Sequence, residues 1–347
     1  MQKRYLSIFL ILVTALTAFS QDVLLLPQQD LAQWGIRPAN YSGIASLGGE
    51  KYAVVSDKEN QDGFFTLVIR QDPLTGQVVS VEDKGFCGNP NAVVGKWGSI
   101  RDCEGVAYCH QRGTVFISGE GDQKVLEYAM DGLPTGNELQ VPQEFARGKI
   151  LSNAGFEALT YDSVSGLFWT TTEFPLKADR DDRFSYGQHV GGMQRLQSFG
   201  IDMQPCEQYF YQMDRYELRQ SGRYYCHGIS ALCALPDGRL IVMERELNVP
   251  RSYLGAKTRT KLYIVKPEPS LKVNESSKAL PKTLLCSFDT HLSLFKTAYA
   301  NYEAMCMGAR LADGRQTLLL LCDSQAGAGK GNRHLKDFIK VIVLPGE

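Results

Sequence analysis

Eight carboxylates recur at two fixed places in five short segments of this 347-residue chain. Glu104, Glu157 and Glu303 stand near the start of a segment, and Asp57, Glu120, Glu173, Glu244 and Asp323 stand at the end of one. Crowded like charges cannot all stay ionised and unpaired, so cations, basic side chains or bound protons must relieve them. Oxygen donors in such number suit calcium best. Asp57, Glu104, Glu120, Glu173, Glu244 and Asp323 are therefore the expected metal ligands. Any one of these acids is equally well explained as a partner for backbone N–H groups. It is the recurrence that points to a metal or ligand.

The elements that would bring the acids together follow from the same repeat. The segments open at Tyr41-Ser42-Gly43, Asp102-Cys103-Glu104, Gly155-Phe156-Glu157, His227-Gly228-Ile229-Ser230 and Asn301-Tyr302-Glu303. Each continues as a short apolar strand, turns, and enters a second strand that stops at the acid. Antiparallel pairing returns the chain beside its start, so both acidic positions lie at one edge. Gly48-Gly49, Pro236-Asp237-Gly238 and Asp313-Gly314 are turn residues at the expected places. Strands such as 240–243 and 318–321 are apolar on both faces, as in sheets packed on both sides.

Third strands are expected over 64–69, 124–128, 261–265 and 338–343, and fourth strands over 77–81, 138–141 and 283–288. Four strands per repeat without helical periodicity predict an all-β propeller of five blades, or six with one degenerate. Residues 22–26 would close the ring as an outer strand of the last blade. A β-sandwich would not explain five recurrences of the same start and stop.

Residues 1–20 read as a signal peptide, with Lys3 and Arg4 ahead of an apolar run and small residues before Gln21. The run is too short for a comfortable membrane span. Residues 21–347 are then one secreted or periplasmic domain, expected to be monomeric. A net charge of −1 gives no basic footprint for nucleic acid. The nine cysteines include no C-x-x-C pair, and Cys87 with Cys103 or Cys206 with Cys226 are possible disulfides.

G-x-S-x-G is absent, the five His are scattered, and Gly327 to Gly331 lacks the phosphate-loop pattern. Asn40 and Asn274 begin N-x-S triplets. Long connections after the second strand in the last three repeats carry or lead into Arg195, Lys330 and Arg333, cations able to hold an anionic substrate.

These segments, in this order, resemble the phytase-like family, whose name refers to the esterase-like activity of phytase. The matching stretches are Ser42-Gly43-Ile44 with Ser56-Asp57, 102–105, 153–159, Gly228-Ile229-Ser230, 240–245, and 301–304 with 322–324. Ala158 and Ala304 stand where Gly often follows the Glu in that family. The resemblance implies an exported propeller that hydrolyses phosphate esters with calcium, and adds Asn153, Asn301 and Arg245 to the site. Arg245 would clamp phosphate, and Glu157 or Glu303 would accept a proton from water. The alternatives are a lactonase or carboxylesterase propeller with one axial calcium, and a non-catalytic calcium-stabilised binding propeller.

Overall fold

The computed structural model describes residues 22–57, 59, 61–88, 101–151, 154–184, 191–218, 224–250, 253–294, 298–325, 327 and 335–346. Two short strands, β1 (Leu24–Leu25) and β2 (Gln29–Asp30), precede five antiparallel sheets that follow one another along the chain. Blade 1 holds β3 (Tyr41–Gly48), β4 (Lys51–Ser56), β5 (Gly63–Gln71) and β6 (Val78–Gly88). Blade 2 holds β7 (Cys103–Cys109), β8 (Thr114–Gly119), β9 (Lys124–Tyr128) and β10 (Pro134–Glu138). Blade 3 holds β11 (Phe156–Asp162), β12 (Leu167–Thr172), β13 (Gln194–Phe199) and β14 (Pro205–Tyr211).

Blade 4 holds β15 (Tyr224–Ala234), β16 (Leu240–Val249), β17 (Lys257–Val265) and β18 (Lys282–His291). Blade 5 holds β19 (Asn301–Arg310), β20 (Gln316–Asp323) and β21 (Phe338–Val343), completed by β1 and β2 pairing on β21. The molecule is a five-bladed propeller, and no sixth sheet forms among the described residues.

The innermost strands β3, β7, β11, β15 and β19 touch in a closed cycle around the axis. Side chains alternate across each strand, so every blade buries both faces. In β4, Tyr52 and Val54 pack against blade 5, while Ala53 and Val55 pack against blade 2. In β20, Leu319 and Leu321 face blade 1, while Leu318 and Leu320 face blade 4. Close approach is required between blades: a Cβ on Gly105 would lie 2.6 Å from the Leu159 nitrogen.

Two outer strands differ from expectation. In blade 2 the fourth strand is 134–138 rather than 138–141, and four of its five residues are exposed, so no buried face marks it. The fourth strand of blade 3, β14, gave no signal because its buried residues are confined to its last three positions. All nine cysteines are free, so neither proposed disulfide forms. Cys226 is buried against Glu173, whereas Cys206 is exposed on an outer strand. The Cys103 thiol faces Asp62, and that of Cys87 faces Thr66.

Candidate functional site

One irregularity recurs in all five blades. The pairing between the first and second strands shifts at Ser42, at 104–105, at Glu157, at Ser230 and at Glu303. A β-bulge adds an unpaired residue and re-aims its side chain. Glu157, Ser230 and Glu303 line the channel together with Ser42. The bulge thus delivers two carboxylates and two hydroxyls to the channel from the innermost strands.

The second strands end at the same level. The backbone N–H groups of Asp57, Glu120 and Glu173 donate to the carbonyls of Asn40, Asp102 and Gly155 at 3.1, 2.9 and 3.2 Å. Asn301 pairs with Asp323 in blade 5, and Gly228 pairs with Arg245 in blade 4. Arg245, rather than Glu244, therefore occupies the fourth blade's place among Asp57, Glu120, Glu173 and Asp323. Glu244 lies one residue off this register and so points to the opposite face. There it accepts hydrogen bonds from Tyr211 Oη at 2.6 Å and Lys282 Nζ at 2.6 Å, and it does not join the mouth.

Arg245 ties three blades together. Its Nη2 donates to Glu173 Oε1 at 2.5 Å, and its Nη1 pairs with Glu303 and lies 3.4 Å from Asn301 Oδ1. Asn301 Nδ2 donates to Glu303 Oε1 at 2.7 Å, and the Cys226 thiol donates to Glu173 Oε1 at 2.7 Å. Arg245 is 5% exposed, so this is a buried ion-pair cluster. Across the mouth, the carboxylate oxygens of Asp57, Asp102 and Glu104 lie within 4.8 Å of one another, a spacing that can hold a metal ion. Asp102 was not among the expected ligands. It takes a left-handed backbone conformation, φ 51°, which a non-glycine residue adopts at a cost.

The model of the phytase-like family, described as "Esterase-like activity of phytase", matches residues 37–325, most of the chain. The chain belongs to this family. No match was found among curated proteins. The phytase-like chain is also similar to solved structures. They include a luciferin-regenerating enzyme (10% identity, TM-score 0.44, covering 92% of this chain and 96% of that one). Another is an endo-arabinase from Bacteroides thetaiotaomicron (11% identity, TM-score 0.46, 92% and 96%). A third is a virginiamycin B lyase from Staphylococcus aureus (11% identity, TM-score 0.36, 93% and 100%).

Among the described residues, the expected cation Arg195 of the phytase-like chain does not converge on the mouth. Arg195 is held by Asp179 at 2.6 and 2.8 Å and by Gln208 at 3.0 Å, on the third strand of its blade. In the loop that precedes it, Arg180 and Arg183 pair with Asp182 at 2.5 Å and Asp181 at 2.7 Å. Asn153, Lys330, Arg333 and the leader 1–20 lie outside the described residues. No helix among the described residues is long and apolar enough to cross a membrane.

Among the described residues, electrostatics at the mouth follow from one guanidinium among many acids. Burial pushes Glu303 up to about 8, with Asp323, Asp57 and Glu173 adding to it and Arg245 opposing. Contact with Arg245 alone would lower this carboxyl, but burial and the neighbouring acids outweigh it. Asp323 rises to about 6 through burial and Asp57. Glu104 and Glu157 are held well above the usual carboxylate range by burial, then by neighbouring acids, with Glu157 foremost for Glu104 and Glu173 foremost for Glu157.

Raised carboxyls contribute stability that is fully present below their unfolded values and lost as pH rises through the folded ones. For Glu303 that window runs from 4.5 to about 8. The metal-free protein should therefore melt at progressively lower temperature across it, read by calorimetry in chelator. A flat profile would show that these acids are neutralised in some other way.

Proposed function

We propose that this propeller is an exported, calcium-dependent hydrolase of phosphate esters. The observation that carries the reading is the oxygen cluster of Asp57, Asp102 and Glu104 at the same channel mouth as the buried Arg245 guanidinium. Carboxylate oxygens are the donors a hard cation prefers. The buried side-chain Oδ1 of Asn40, which has no hydrogen-bond partner among the described residues, belongs to a residue bonded through its carbonyl to Asp57 N. It would be a further oxygen donor of the right kind. Calcium held there would supply Lewis-acid polarisation of the phosphate.

The chain's own residues would do the rest. Arg245 balances Glu173 and Glu303, so that an anion can approach a mouth otherwise lined by acids. Glu157 lines the channel and makes no hydrogen bond or ion pair among the described residues. Its raised pKa suits donation of a proton to the leaving alcohol better than removal of one from water. Export rests on the charged and apolar leader 1–20.

Phosphate release from phytate and from an aryl phosphate, with calcium or with chelator, tests the reading, and an aryl carboxylate ester serves as the parallel arm. Calcium-dependent phosphate release is expected, and Glu157→Gln should lower it by about 10²–10⁴-fold without unfolding the protein. Carboxylate-ester turnover without phosphate release would give the lactonase class instead. Silence on every substrate would leave a binding propeller. Wild-type rates in Glu157→Gln would remove that residue's role.

A further inference from the structure

Blade 4 is built taller than its neighbours. Gly228 and Arg245 pair at the level of the acid ring, yet β15 begins four residues earlier at Tyr224 and pairs with β16 as far as Val249. Four residues of strand rise about 14 Å. The innermost strands of blades 3 and 5 begin at Phe156 and Asn301, level with the ring. The extension forms a wall on one side of the mouth. A satellite core of Ala256, Leu292, Tyr299 and Leu335, with Val249 and Tyr253 against it, braces that wall.

Tyr224 crowns it. Alternation puts Tyr224 on the same face as Cys226, whose thiol touches Glu173 and lies 3.6 Å from Arg245 Nη2. Two residues along a strand place the Tyr224 ring about 7 Å above that pair. The side chain is 56% exposed beside half-buried Val249, its direct cross-strand partner. Partial desolvation and the nearby Cys226, Glu173 and Glu303 raise its pKa against Arg245, as expected of a ring leaning over the site. A flat, partly apolar face stands open about one ring's length from where an anion would meet the mouth.

We infer that Tyr224 is a specificity-determining residue that seats a ring on the alcohol side of the substrate, so that the preferred esters are phosphates of aromatic alcohols. This rests on the phosphate-ester reading, and phosphonates, which cannot be hydrolysed as esters, allow the two to be tested apart. Calorimetric titration of the calcium-loaded protein with phenylphosphonate and methylphosphonate should show the phenyl compound binding about tenfold tighter. Tyr224→Ala should abolish that preference and leave methylphosphonate binding unchanged, while Tyr224→Phe should keep it. Equal binding of both compounds by the wild type, binding of neither, or an unaltered preference in Tyr224→Ala would overturn the inference. Phosphate-ester turnover is measured separately. Its absence would sink the proposed function while the ring preference stays readable from the phosphonates.

Discussion

Above about pH 8, where Glu303 is ionised, replacing Arg245 by methionine should cost about 3–5 kcal/mol of folding stability, because the change leaves two buried carboxylates without their cation. Glu173 and Glu303 have side-chain exposures of 8% and 14%, so water cannot take over the lost pairing. Asn301 and Cys226 would keep their bonds to the same acids, yet neither supplies charge. Arg245→Lys should recover part of the loss, since an ammonium restores the charge but cannot reach Glu173 and Glu303 with a planar fork. Urea unfolding with calcium removed measures both variants. A methionine variant as stable as the wild type would show that Arg245 does not carry the charge balance of Glu173 and Glu303.

Glu104→Gln should have effects of opposite sign with and without calcium. Burial and the surrounding acids make ionised Glu104 costly, so the amide should raise the melting temperature of the metal-free protein. In the presence of calcium the order should reverse. A ligand that binds only the folded state stabilises it by about 2.7 kcal/mol at a hundred times its dissociation constant. The variant has lost one of the three clustered acids and should lose most of that gain. Melting curves with calcium and with chelator measure both halves. An equal calcium response in both proteins would remove Glu104 as a ligand.

The propeller was legible because turn residues and strand-end acids recur, and those are local features. The outer strands were less so, since β10 presents no buried face to mark its period. In the site, the acids could be read but not their phase. The run Glu244-Arg245-Glu246 offers a charge at three successive positions, and the bulge at Ser230 decides which one reaches the mouth. A usable signal was present. Ser56, Gly119, Thr172 and Cys322 each put a small or uncharged residue just before the mouth residue, and that slot in blade 4 is Glu244.

Asp102 was passed over for a related reason. It precedes the bulged Glu104 by two residues, as Asn301 precedes Glu303, and Asn301 reaches its site partner directly. Position relative to the bulge, more than acidity, marks the residues of the mouth.

The pairing of Leu24 with Val343 and Leu25 with Ile342 has a consequence for how the molecule is made. The first four blades are strand meanders whose pairings are local, so each can assemble as its own stretch of chain appears. The clasp cannot, because its two halves come from opposite ends of the domain and close a loop whose entropy cost is about 5 kcal/mol. A two-residue strand is too short to drive that closure. The driving force must come from the apolar seam where Ile44, Val54 and Phe65 of blade 1 meet Leu319, Leu321 and Ile339 of blade 5. Assembly of the ring is thus expected to be its slowest event, as contacts between distant parts of a chain are. Until then the two unsealed faces are the most aggregation-prone surface the newly made chain presents.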